Sequence, residues 1–176
     1  MIWFGVSERS LSEGNGSGND DARCSLHKAA MNGNWETAEQ LERENLGILS
    51  VVISEDRNET ALHIATRCNQ VGFVQKLVAR LSDEDLGIEN SYGNTALCIA
   101  ATLGGLDIAK SMVEKRKDLI GGSRNVTPVL IAARYKHNDM VSYLLSQKDH
   151  IAPEMELELL VGAISANHYG LFPTLS

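Results

Sequence analysis

The chain has 176 residues, of which 43% are hydrophobic and only 5% aromatic, and its net charge is −7. That size allows a sizeable core filled by small aliphatic side chains, as in a stack of short helices, while the acidic balance argues against binding a phosphate backbone, which needs a surplus of Lys and Arg. No stretch reaches the roughly 18 uninterrupted apolar residues of a membrane-crossing helix, so no membrane span is expected.

Residues 1–21 are dense in Gly, Ser and Asn and read as a disordered leader. Their glycines lack the spacing of a phosphate-binding loop, and no strand precedes them. From residue 22 onward a short pattern recurs. Its clearest copies are Thr60-Ala61-Leu62-His63-Ile64-Ala65, Thr95-Ala96-Leu97-Cys98-Ile99-Ala100 and Thr127-Pro128-Val129-Leu130-Ile131-Ala132, with a weaker one at Cys24-Ser25-Leu26-His27-Lys28-Ala29. The starts at 24, 60, 95 and 127 are separated by 36, 35 and 32 residues. A step near 33 residues marks a repeat architecture in which each unit is one supersecondary element. Four repeats are expected at about 22–54, 55–89, 90–121 and 122–153, with an incomplete fifth repeat and tail over 154–176.

Within each repeat the apolar spacing predicts two helices. In the first, Leu26, Ala29 and Ala30 line one helix and Trp35, Ala38 and Leu41 the next, with Glu36, Glu39, Glu42 and Glu44 on the wet face. Thr60, Thr95 and Thr127 stand where a hydroxyl caps a helix start. Pro128 falls at the first helical position, where its missing N–H costs nothing. Asn58, Gly93 and Asn125 each lie two residues before a Thr, in a turn expected to need positive φ. Leu62, Leu97 and Val129 are predicted as equivalent core positions. The stretch 81–87 reads as a long loop. The acidity concentrates in residues 20–56, with eight acids against three bases, whereas 57–150 hold ten against twelve.

Little in the sequence suggests chemistry. The three cysteines, Cys24, Cys68 and Cys98, are odd in number and lack zinc-site spacing. His27 and His63 share one repeat position, but Cys98 and Leu130 stand there in the next two repeats, so no common site forms. No catalytic residue, metal site or cofactor is expected.

The recurring core with its fixed step resembles ankyrin repeats, over roughly residues 22–171. The resemblance implies an all-α solenoid of helix-turn-helix units joined by short hairpin turns. It also implies a structural role for the His of the core, together with Leu26, His27, Thr60, Leu62, His63, Thr95, Leu97, Thr127 and Pro128. The function implied is non-catalytic binding of a protein that the sequence does not identify. The expected binding positions are hairpin tips and first-helix ends: Arg57, Glu59, Arg67, Tyr92, Asn94, Leu103, Arg124, Arg134 and Tyr135, with Tyr and Arg as the preferred anchors.

Three stretches narrow the resemblance: 90–101, Met112-Val113-Glu114-Lys115, and Met140-Val141-Ser142-Tyr143-Leu144-Leu145. They are similar to plant ankyrin proteins that end in a membrane-spanning PGG domain. That implies a cytoplasmic binding arm in stress or defence signalling, placed at the inner face of the plasma membrane through partners, and acting as a monomer. The alternative is a fragment of such a membrane-anchored protein, without activity of its own.

Overall fold

The structure, a computed structural model, describes residues 16–122 and 127–147. The expected half repeat after 153 and the third hairpin tip, with Arg124, Asn125 and Val126, lie outside these residues.

The described residues form an all-α stack. Its helices are α1 (Gly16–Asn32), α2 (Trp35–Glu44), α3 (Ala61–Arg67), α4 (Val71–Arg80), α5 (Asp83–Leu86), α6 (Ala96–Leu103), α7 (Leu106–Lys115), α8 (Pro128–Arg134) and α9 (Asn138–Ser146). The first helices of the repeats, α1, α3, α6 and α8, pack side by side in chain order, and α4 packs on α7 in a second layer. Two contacts extend the second layer. Trp35 of α2 meets Phe73 of α4 edge to face at 5.4 Å, and the Lys110 ammonium of α7 lies 5.9 Å from the Tyr143 ring of α9. Between the layers runs one core that includes Leu26, Leu62, Leu77, Leu97, Ile108, Met112 and Leu144.

Small residues set this geometry. Ala29, Ala30, Ala61, Ala65, Ala96, Ala100, Ala101, Ala132 and Ala133 are all buried in the first helices. With only a methyl to accommodate, neighbouring helix backbones approach closely and each repeat needs few large side chains. The caps are local. Thr95 Oγ1 accepts the Cys98 N–H at 3.4 Å, and Thr127 Oγ1 accepts that of Leu130 at 3.4 Å.

A second marker recurs with the same step. Gly33, Asn69, Gly104 and Lys136 all have positive φ, each nine residues after the start of its repeat core, and each ends a first helix. The left-handed residue reverses the chain so that the second helix packs back against the first. Next to it, a side chain crosses to the preceding repeat. Gln70 donates to the Met31 carbonyl at 2.8 Å, and His137 Nε2 donates to the Thr102 carbonyl at 2.9 Å. Both bonds satisfy carbonyls at a helix end that have no partner within their own helix.

Lys136 bears the steric cost of a Cβ at positive φ, which Gly104 avoids at the matching place. Lys136→Gly should therefore raise stability by about 0.5–1 kcal/mol, after allowance for the greater freedom of glycine in the unfolded chain. Urea unfolding checks this, and an unchanged or lower midpoint would contradict it.

Two stretches differ from the sequence reading. Helix α1 begins at Gly16, inside the segment read as leader. Position 24 is Cys rather than a capping Thr, and the preceding Ala22-Arg23 favours helix where Gly93-Asn94 favours a turn, so the chain runs through position 24 without bending. Ala22 is buried in the core and anchors that extension. The supposed loop 81–87 contains α5, capped reciprocally by Ser82 and Asp85: Ser82 Oγ accepts the Asp85 N–H at 3.2 Å, and Asp85 accepts the Ser82 N–H at 2.9 Å. The side chains of α7 and its C-cap hold this corner. Lys115 donates to the carbonyls of Val78, at 2.6 Å, and Leu81, while Arg116 donates to that of Asp83 at 2.7 Å.

Candidate protein-binding face

The hairpins joining the repeats build the edge of the candidate face. The first pairs β1 (Val52–Ser54) with β2 (Glu59–Thr60) in antiparallel fashion. It turns at Asn58, whose φ is +52°, and the Asn58 amide donates to the Glu89 carbonyl at 3.0 Å. The second turn closes on Asn90, whose Oδ1 accepts the N–H groups of Tyr92 and Asn94 at 3.0 Å each. The Ser91 N–H donates to the Arg57 carbonyl at 2.9 Å, tying the two tips together.

His63 completes the link. Its Nδ1 accepts the Thr60 N–H at 3.3 Å and lies 2.9 Å from the Thr60 hydroxyl, and its Nε2 is 3.2 Å from the Asn94 carbonyl. These contacts assign the proton to Nε2, which donates to Asn94. Burial pushes the imidazole pKa below its usual value, against the opposing pull of the Asn94 carbonyl and Glu59. A lowered folded-state pKa means that the unfolded chain binds the extra proton more readily. The bridge thus contributes fully above about pH 6.5 and is lost as pH falls through the lowered value. Cys98 fills the same place in the third repeat, and burial raises its thiol pKa. The ring of His27 is half-buried in α1.

Glu59 is not a surface residue. It was expected at an exposed tip, yet it is only 1% exposed. Arg67, at the end of α3, grips it with both terminal nitrogens: Nη1 donates to Oε1 at 2.6 Å and Nη2 to Oε2. Burial pushes the Glu59 pKa up, but the hydrogen bonds and charge of Arg67, aided by His63 and Arg57, outweigh it and hold the carboxyl below its usual range. Two of the expected contact residues are thus bonded to each other, and the Arg67 side chain is 36% exposed.

The other candidates are accessible. Tyr92 is 70% exposed, Tyr135 55% and Leu103 49%; Arg57 and Arg134 are exposed, and Asn94 is half-buried. Met31, at the end of α1, adds a 44% exposed apolar side chain. Of the five exposed large apolar side chains among the described residues, only Leu46 lies away from the first-helix ends and tips. Met31 was also expected at a first-helix end, and it precedes Gly33 by the same two residues that separate Arg67 from Asn69 and Arg134 from Lys136.

Residues 71–156 match the family described as ankyrin repeats in three copies. That stretch carries ankyrin repeats. It is 26% identical over 129 residues to a transient receptor potential cation channel subfamily A member 1 homolog of Caenorhabditis elegans, a match covering 73% of this chain and 10% of that protein. An ankyrin repeat protein of Rickettsia bellii is 33% identical over 61 residues, covering 34% of this chain and 36% of that protein. The ankyrin repeat and KH domain-containing protein mask-1 of Caenorhabditis elegans is 28% identical over 104 residues, covering 58% of this chain and 4% of that protein. The chain thus spans well under half the length of each of these relatives. Among the described residues of the ankyrin stack, no helix is long and apolar enough to cross a membrane, and no three His, Cys, Asp or Glu side chains are grouped to hold a metal ion.

Proposed function

We propose that the ankyrin stack is a non-catalytic module that binds another protein along its first-helix ends and hairpin tips. One observation carries this reading: four of the five exposed large apolar side chains among the described residues gather on that side. A grouping of exposed apolar and aromatic residues with arginines among them is what an interface anchor set looks like. Tyr92→Ala combined with Tyr135→Ala should weaken capture of a binding protein at least tenfold while leaving the circular dichroism spectrum unchanged, because both side chains lie mostly outside the core. Undiminished capture by the double variant would remove this surface assignment.

The setting we propose is signalling in plant stress or defence, with the module acting in the cytoplasm, as a monomer, as the binding arm of a membrane-anchored protein. Its support is the likeness of 90–101, 112–115 and 140–145 to plant ankyrin proteins of the PGG kind; the relatives matched above are animal and bacterial. A transcript whose frame continues past codon 176 into several hydrophobic spans supports this setting, and a stop codon there opposes it.

A further inference from the structure

Apart from Asp20 and Asp21 near the start of α1, the charges of the stack are segregated. Residues 22–34, 61–70, 96–105 and 128–137, which cover α3, α6, α8, most of α1 and their turns, contain no Asp or Glu. They hold Arg23, Lys28, Arg67, Arg134 and Lys136 within a chain whose net charge is −7. The carboxylates concentrate in the second helices and their connections, as with Glu36, Glu39, Glu42, Asp107, Glu114 and Asp139. Lys28, Arg134 and Lys136 are exposed, and they share the first-helix row with exposed Met31, Leu103 and Tyr135.

We infer that the occupant of this row is an extended acidic segment of another protein, its carboxylates alternating with apolar side chains. The inference rests on the protein-binding reading above and deepens it. Arg67 and Arg134 hold the same place in their repeats, two residues before the left-handed turn. Arg67 is already ordered by Glu59, and that pairing uses two of the five guanidinium N–H donors. Holding the side chain in advance lowers the entropy lost when a second carboxylate docks against it. Neighbouring packed helices are about 8–10 Å apart, so two repeats separate these arginines by roughly 16–20 Å. An extended chain covers that in about five or six residues. The ligand should therefore carry two carboxylates with that spacing and apolar residues between them. A nucleic acid fits less well. The row offers a few cations interleaved with apolar side chains, and the acidic remainder of the chain repels a polyanion.

The test is selection of a random 12-residue peptide library displayed on phage against the whole chain. Recovered peptides should be rich in Asp and Glu, poor in Lys and Arg, and show carboxylates about five or six residues apart. The best of them, made synthetically, should bind at least tenfold more weakly to Arg134→Glu, and also to the paired variant Glu59→Gln with Arg67→Gln, which removes the cation without orphaning the carboxylate. Its affinity should fall as salt rises. Recovery of neutral or basic peptides, recovery of none, undiminished binding by both variants, or displacement of the peptide by a DNA duplex would overturn the inference. The protein-binding reading is tested apart from this. A partner protein lost on Tyr92→Ala with Tyr135→Ala, but unaffected by Arg134→Glu, would leave that reading standing while this one fails.

Discussion

Leu97→Ala should lower the stability of the whole stack by about 2–5 kcal/mol, the range for removing a large aliphatic side chain and leaving a cavity. Leu97 is fully buried in α6, and α6 packs against α3 on one side and α8 on the other. Ala96, Ala100 and Ala101, which surround it in sequence, are buried with so little side chain that they cannot fill the space. Because each repeat is held by its neighbours, the loss should not stay local. The melting temperature should fall by several degrees, and hydrogen exchange should quicken in α3 and α8 as well as in α6. A Leu97→Ala protein that melts like the wild type would contradict the equivalence of Leu62, Leu97 and Val129.

The second large effect is expected from Arg67→Ala. Glu59, 1% exposed in the wild type, is left without its counter-charge. Breaking a buried pair by removing one partner costs about 3–5 kcal/mol; the lower end, about 3, is expected because the Arg67 side chain is 36% exposed and water can enter the space it leaves. The pH dependence identifies the cause. In the wild type the folded-state pKa of Glu59 is depressed, so its contribution is present above the ordinary value of 4.5 and is lost as pH falls through the depressed one. In the variant the Arg67 hydrogen bonds and charge are gone, and burial, the largest influence, is opposed only by the lesser pull of His63 and Arg57, so the pKa rises and protonation relieves the penalty. The stability gap between the two proteins should therefore narrow as pH is lowered toward 4, measured by urea unfolding. A gap independent of pH would assign the loss to missing Arg67 packing instead. Glu59→Gln placed on Arg67→Ala should recover part of the loss at pH 7.

The architecture was legible because a repeat protein writes the same local instruction several times. The steps of 36, 35 and 32 residues between core motifs return unchanged in the left-handed positions Gly33, Asn69, Gly104 and Lys136. Caps and reversals depend on a hydroxyl, or on the absence of a Cβ, within a few residues of where they act, so Thr95 at a helix start and Gly104 at its end can be read directly. The exposure of Tyr92 and Tyr135 was legible for the same reason, since their repeat positions fix which side of the stack they occupy. The first repeat departs from the pattern because Cys24 has no capping hydroxyl, and α1 runs through it.

Only the tertiary structure decided the rest. Glu59 precedes the helix-capping Thr60, and nothing local distinguishes it from a solvated tip residue. Its counter-charge is Arg67, eight residues along, and the turn of the next repeat is bonded to the Arg57 carbonyl of the same hairpin. The capping of α4 by Lys115, the meeting of Trp35 with Phe73, and the bond from His137 to the Thr102 carbonyl likewise join residues more than thirty positions apart. The sequence by itself determined the unit, its period and its reversals, because those are short-range. Which polar groups are buried, and which cations remain for a partner, was decided by the stacking of one unit on the next, because desolvation depends on what covers a side chain and not on its neighbours in the chain.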